Sequence, residues 1–503
     1  MSTALSIAGA RAPRTARFRS ALLAVGPVPF VVVLTAAGLV LRFSTLGMQS
    51  YWFDEGLTVL LSKASFGAML SGDTTEALPS LYFVLAWAWT HLFGVSEIGL
   101  RSLSALAGTL TIPVAYAAAK EMVGERIGLG VAVLTAVSPA FVWYSQEARP
   151  YALLTLLSAL SLLFFAGARR RPATRNFVGW AVASALALAT HYFALIVVVP
   201  EALWLLYDAR NRRAALIAST ALAAVAAGLA PLALYQRVHG GPAWIAGTPF
   251  RGRLGAIPYL FVTGRDNGQH SQPIVIVSVL AFGLAVALVL RGPRTRRRSG
   301  ALVALGVGMS AIAIPVAGKL VGSDYVLARN MLAAWLPFTV FVVAALATRP
   351  RWQFVGGLVV ASLAALAINV VVAVSPGLQR DDWRGVAAAL GPARPGRLII
   401  VAPKWQYVTL ADYRPRMRFM PPTATASELD TVTFNGYVPF RAPIRVITPG
   451  FPFRRTQTTT IQRFTIVRYV AAQPTAQLRS ALTGLTYDGG TPFTELAPGG
   501  RPR

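Results

Sequence analysis

The sequence predicts an α-helical polytopic membrane protein with about eleven transmembrane helices and a small C-terminal extracytoplasmic α/β domain. Three observations predict it. Of 503 residues, 55% are hydrophobic and only 13% charged, whereas a soluble domain carries about 25% charged residues. The apolar residues fall in long runs almost free of charge, at 21–41, 131–142, 152–168 and 274–290, and about 17–25 such residues in a helix cross a bilayer core. Between these runs arginines gather in short clusters, as they do in cytoplasmic loops.

Taken in order, the elements begin with Arg11, Arg14, Arg17 and Arg19. This basic start resembles a signal peptide. However, the run behind it is long for one and no A-x-A site follows closely, so 21–41 reads as a retained first span. The strongest clusters are Arg169-Arg170-Arg171 with Arg175, Arg210 with Arg212 and Arg213, Arg291 through Arg298, and Arg349 with Arg351. Placing them and the N-terminus on the cytoplasmic side yields further spans near 98–119, 126–143, 151–168, 176–190, 192–207, 214–235, 273–290, 301–321, 331–347 and 353–374. The segment 78–93 (LPSLYFVLAWAWTHLF) looks like another span, but counting it would turn every later arginine cluster outward. It is short and rich in aromatics, and reads as a helix lying at the outer interface.

Residues 1–375 therefore form a transmembrane domain with two large external loops, 42–97 and 236–272. Beyond 375 the long apolar runs stop. Arg397–Ala402, Ile444–Ile447 and Phe464–Val470 alternate like strands behind a helix-like Trp383–Leu390, so 376–503 reads as a separate external α/β domain. Its last twenty residues are rich in Gly and Pro and read as loose. The chain shows no internal repeat.

Composition also excludes functions. The net charge of +28 is split among short clusters, whereas nucleic-acid binding needs a continuous basic face. With no cysteine, disulfides, thiolate catalysis and sulfur-ligated metals are absent.

Acids are scarce: 19 in all, seven of them after residue 375, so the placement of the rest is informative. Asp54 and Glu55 follow the first span in Tyr51-Trp52-Phe53-Asp54-Glu55-Gly56. Glu147 follows the third in Tyr144-Ser145-Gln146-Glu147-Ala148-Arg149-Pro150-Tyr151. The charge-derived topology puts both on the external face, where carboxylates among aromatics suit acid–base work. The alternative is structural, since acids collect at helix N-termini where the dipole favours them. Glu201, inside a span, reads as a structural partner facing the bundle interior, and Lys319 as a snorkelling side chain.

Several blocks occur together: Phe53-Asp54-Glu55-Gly56, Pro79 to Tyr82, Arg101-Ser102-Leu103-Ser104-Ala105-Leu106-Ala107-Gly108, the Tyr144–Tyr151 stretch, and Thr190-His191-Tyr192. In this order they resemble the GT-C glycosyltransferases, within them the branch of protein O-mannosyltransferases and lipid A aminoarabinose transferases. The resemblance covers about the first 210 residues well and the rest loosely. It implies an inverting membrane enzyme that moves a sugar from a polyprenyl-phosphate donor to an acceptor glycan, lipid or protein on the outer face. Asp54 would be the base and Glu55 its positioning neighbour. Donor phosphate and sugar would fall to Glu147, Arg149, His191, Tyr192 and Arg329. Arg329 stands in Asp324-Tyr325-Val326-Leu327-Ala328-Arg329-Asn330, where relatives often carry a Glu-Arg-Tyr-like pattern. A phosphate leaving group needs cations and no cofactor, while a divalent metal bridging Asp54 and Glu147 stays open because related branches use one. The Asp381-Asp382-Trp383-Arg384-Gly385-Val386-Ala387 stretch resembles a block following the last span in bacterial members.

Two other functions fit a polytopic chain. A lipid or sugar flippase usually shows repeated halves and a midplane site, neither of which is visible here. A scaffold binding anionic wall polymer through the external domain, with its seventeen basic and seven acidic residues, predicts that Asp54 is dispensable.

Overall fold

The computed structural model describes residues 26–70, 81–208, 210–240, 243–265, 271–435, 453–483 and 490–495. The N-terminal arginines, Pro79 and the expected strand Ile444–Ile447 lie outside these residues.

Over their described residues the eleven apolar segments are helical. In chain order the first helices are α1 (Pro27–Phe43), α2 (Phe53–Lys63), α3 (Phe66–Leu70), α4 (Leu81–Phe93), α5 (Glu97–Val123), α6 (Glu125–Val137), α7 (Pro139–Ser145), α8 (Tyr151–Arg170), α9 (Thr174–Thr190), α10 (Leu195–Asp208) and α11 (Arg212–Gly240). After α12 (Ala243–Ala246) come α13 (Phe250–Thr263), α14 (Gln272–Arg291), α15 (Arg296–Leu320), a 3₁₀ turn Ala328–Ala334 running into α16 (Trp335–Leu346), and α17 (Arg351–Val374). Among the described residues seven helices are long and apolar enough to cross a membrane, and an eighth if α6 and α7 count as one span bent by 52°. The bend falls at Ser138-Pro139. Arg42, at the end of α1, donates to the carbonyls of Thr135 and Ala136 (2.9 Å each) that the break leaves without helical partners, which suits a cation at a helix C-terminus.

The bundle is packed inside and apolar outside. One core runs through α5, α8, α9, α15 and α16. By contrast α14 exposes Val277, Leu280 and Leu284 by more than 60% each, as expected where lipid is the solvent. Inside the bundle Glu201 accepts hydrogen bonds from Trp180 Nε1 (2.9 Å) and the Ser161 hydroxyl, tying α8, α9 and α10. That is the structural role expected of it.

The basic loops meet at one end. Arg171 pairs with Glu121 at 3.1 Å, Arg169 with Asp208 at 3.6 Å, and the Arg126 guanidinium lies 4.4 Å from the centre of the Phe354 ring. The opposite end, about 40 Å away along the 27 residues of α5 at 1.5 Å per residue, carries α2, α4 and the C-terminal domain. Helix α4, about 20 Å long by the same rule, lies against α2 and the first turns of α5. Tyr82 bonds Ser104 (2.9 Å), Trp87 donates to Ala64 O (3.0 Å) and Trp89 to Ser102 (2.8 Å). The 236–272 segment, expected as a loop, contains the 14-residue helix α13, with Pro258 inside it and Arg253 buried.

The C-terminal domain starts with α18 (Trp383–Ala389) and contains α19 (Tyr407–Tyr413), α20 (Arg479–Thr483) and six strands: β1 (Arg397–Ala402), β2 (Met417–Phe419), β3 (Thr423–Phe434), β4 (Phe453–Ile461), β5 (Phe464–Leu478) and β6 (Thr491–Glu495). They form one sheet in the order β2-β6-β1-β3-β5-β4, with β1 and β3 parallel and the other pairs antiparallel. Because side chains alternate along a strand, β1 sends Ile399 and Val401 to one core with Trp383 and Phe464, and Leu398 and Ile400 to another with Leu429 and Tyr469.

This domain is bound firmly to the bundle. Lys63 pairs with Asp412 (2.9 Å), Arg384 with Glu97 (2.7 Å), and the Tyr413 hydroxyl receives the Tyr51 N–H (2.7 Å) while donating to Glu97 (2.7 Å). Helix α19 approaches α2 so closely that a Cβ on Gly56 would stand 2.7 Å from Thr409 Oγ1 and 3.1 Å from its Cα. The glycine of the Asp-Glu-Gly stretch is therefore a close-approach residue.

Candidate active site

The site forms where the N-terminus of α2 meets the α7–α8 loop. Trp52 caps α2, so Asp54 and Glu55 fall in its first turn, where the helix dipole stabilises negative charge. Their side chains have different fates. Glu55 is wholly buried and its carboxylate is held by Arg101 from α5 through Nε (2.7 Å) and Nη2 (2.6 Å), and by the Ala148 N–H (2.8 Å). Arg101 also donates to the carbonyls of Leu46, Gln49 and Ser50. Burial drives the Glu55 carboxyl up, but the charge and hydrogen bonds of Arg101 outweigh it and hold the group below its ordinary value. Glu55 thus locks three segments together, and the adjacent Asp54 is left partly exposed.

Asp54 Oδ2 lies 3.4 Å from Arg329 Nη1, and both side chains retain 16–20% of their exposure. Arg149 donates from Nη1 to the Asp54 backbone carbonyl (3.1 Å). Arg329 also lies over the Trp52 ring at 5.8 Å, and Arg149 over Phe83 of α4 at 5.7 Å. One guanidinium, Arg329, therefore faces the Asp54 carboxylate, and a second, buried one, Arg149, holds the Asp54 backbone.

Glu147 and His191 complete the cluster. Glu147 is buried, with Oε2 3.2 Å from Arg380 Nη2 and Oε1 without a hydrogen-bond partner among the described residues. Burial pushes its carboxyl up to about 7, against the downward pull of Arg380. His191 is buried against Tyr151 and Phe193 and accepts the Phe193 N–H at Nδ1 (3.2 Å). Burial, with Arg149 and Arg329 nearby, holds its imidazole down at about 3. A neutral ring whose Nδ1 accepts carries its proton on Nε2. The Tyr192 hydroxyl donates to Gln236 on α11 (2.8 Å) and serves to tie helices.

Sequence reading missed three residues. For Arg101 the signal in the sequence is an arginine opening an apolar helix. Arg380 follows the last span and enters the site through Gln49, the Trp143 carbonyl and the face of the Trp143 ring, 4.1 Å from its centre. Asp324 takes Arg253 at 2.6 and 2.7 Å and also Lys319 at 2.8 Å. Lys319 is therefore an ion-pair partner and does not snorkel as expected.

Asp54 and Glu147 are the two carboxylates that a bridging metal would need. Each carboxylate faces a guanidinium, and among the described residues no three His, Asp or Glu side chains come together.

The architecture defines the class by fold: the chain is a multi-pass membrane protein of GT-C fold. Within that class, residues 78–235 match the family model described as dolichyl-phosphate-mannose-protein mannosyltransferase. The structure of ArnT from Cupriavidus metallidurans bound to undecaprenyl phosphate is similar, with a TM-score of 0.54 and 16% identity, covering 89% of this chain and 99% of that one. This likeness shows the fold. The Archaeoglobus fulgidus oligosaccharyltransferase tethered with an acceptor peptide has a TM-score of 0.46 and 13% identity, covering 76% of this chain and 62% of that one. No curated protein matches the chain.

Proposed function

We propose that this chain transfers a sugar from a polyprenyl-phosphate donor to an acceptor hydroxyl at the external face, in one inverting displacement. The observation that carries the reading is the Asp54 carboxylate facing Arg329 while Arg149 holds the Asp54 backbone carbonyl, where acids and cations from distant parts of the chain converge. The undecaprenyl phosphate in the ArnT complex supports a polyprenyl carrier.

Asp54 takes the proton from the acceptor hydroxyl as its oxygen forms the bond to the anomeric carbon. The bond from that carbon to the phosphate oxygen breaks, its electron pair leaving with polyprenyl phosphate. Arg329 and Arg149 stabilise the charge that develops there, as fixed cations in a dry site do efficiently. His191 offers a neutral Nε2–H to a donor oxygen. Glu55 is a positioning residue acting through Arg101. The arginine-rich end faces the cytoplasm, which puts the site and the C-terminal domain outside.

The test is sugar transfer by purified protein from a panel of polyprenyl-phosphate sugars, comparing wild type with Asp54→Asn. Transfer lost in a folded variant supports the base. Transfer that survives moves the base to another carboxylate, and no transfer with any donor by an intact, lipid-binding protein overturns the reading.

A further inference from the structure

We infer that Arg253, Asp324 and Lys319 form a latch that positions Arg329 in the site and so sets affinity for the phosphate of the donor; this rests on the proposed role of Arg329. Three elements meet there. Asp324, in the segment joining α15 to the 3₁₀ turn, takes both arms of Arg253 from α13, Nη1 at 2.6 Å and Nη2 at 2.7 Å. Lys319, from the end of α15, donates to its Oδ2 (2.8 Å), and the Val326 N–H lies 3.4 Å from Oδ1. Arg253 Nη1 also holds the Val326 carbonyl at 2.9 Å, so one guanidinium grips both the side chain and the backbone of the strap.

The strap leads directly to the cation. Val326 is wholly buried and Asn330 bonds back to the Tyr325 carbonyl (3.1 Å). Arg329 is thus confined between two fixed points and meets Asp54. Arg253 and Asp324 are shielded while Lys319 is partly exposed, and Phe250 lies 5.5 Å from the Arg253 guanidinium and 5.2 Å from the Lys319 ammonium. Bidentate arginine–carboxylate pairs add geometric definition as well as energy, and definition is what a phosphate-binding cation needs. The latch touches none of Asp54, Glu147 or His191 in the structure, so its effect on transfer passes through the strap.

The experiment compares Asp324→Asn, Arg253→Lys and Arg329→Met, with thermal stability in detergent measured alongside. Each is assayed for kcat, KM for donor and for acceptor, and inhibition by free polyprenyl phosphate. Asp324→Asn should raise the donor KM and weaken polyprenyl phosphate inhibition about tenfold, or about 1.4 kcal/mol, with little change in acceptor KM. Arg253→Lys, which keeps the charge but cannot hold both carboxylate oxygens and the Val326 carbonyl together, should raise the donor KM in the same direction. In an Arg329→Met background Asp324→Asn should add nothing further. A folded Asp324→Asn protein with unchanged donor KM while Arg329→Met is impaired overturns the latch alone, as does full additivity of the two changes. An Arg329→Met protein with unaltered kinetics overturns the cation role and the latch with it.

Discussion

Asp54 Oδ2 and Arg329 Nη1 stand 3.4 Å apart across the site, although 275 residues separate them in the chain. Neither is deeply buried, so the pair can open to admit an acceptor hydroxyl on one side and a phosphate on the other. Asp54→Asn keeps the shape and removes the base. The expected loss is about 10²–10⁴-fold in kcat, the usual worth of general base catalysis, with donor affinity little changed. Binding of polyprenyl phosphate to the variant, measured directly, separates that result from misfolding.

Glu55 should behave differently from its neighbour. Its carboxylate and the Arg101 guanidinium are a fully buried bidentate pair, and removing one partner from such a pair costs about 3–5 kcal/mol. Glu55→Gln and Arg101→Met should therefore lower the thermal midpoint in detergent and the yield of folded protein. Asp54→Asn should not. A stable but inactive Glu55→Gln protein would instead give Glu55 a direct chemical role.

Which parts were legible follows from the range of the interactions. The apolar runs marked the long helices of the bundle, because a span must carry its own signal to be soluble in lipid, whereas the shorter α13 reads as part of a loop. Asp54, Glu147, Arg149 and His191 were readable because each belongs to a local block beside a span end. Arg380 and the Arg253–Asp324 latch were not, since each depends on a partner 71 or 233 residues away and nothing in the local pattern names it. The strand β3 was hidden for a related reason. Its Asp430 is buried and its Glu428 half-buried against Arg397 and Arg468, so the segment TATASELDTVTF reads as polar although it lies mid-sheet.

The Glu147 carboxyl, pushed up to about 7 by burial, gives the site a pH dependence near neutrality. In the folded protein it holds its proton to higher pH than in the unfolded chain, so it contributes stability below about 4.5 that is lost as pH rises through 7. If its ionised form orders the site with Arg380, turnover should rise through the same window. Arg380→Met removes the cation bonded to it and should move that limb of the pH–kcat profile upward. An unshifted profile in a folded variant would show that Glu147 is silent in catalysis.

Gly56 tests how the C-terminal domain is docked. Helix propensity alone favours Gly56→Ala by about 1 kcal/mol within α2. The new methyl would, however, stand 2.7 Å from the Thr409 hydroxyl oxygen and 3.1 Å from the Thr409 backbone. The hydroxyl can rotate away, but the backbone yields only if α19 shifts, and α19 carries Asp412 and Tyr413, which bind Lys63 and Tyr51. Gly56→Ala should therefore loosen the domain, and Gly56→Val should do so more strongly. Limited proteolysis between residues 375 and 383 reads this out, because that linker is held by Ser50 on one side and Arg463 on the other. Thr409→Ala relieves only the clash with the hydroxyl and should recover part of the protection in Gly56→Ala. If Gly56→Ala is instead more resistant than wild type, helix propensity dominates and the close approach of α19 is not what holds the domain.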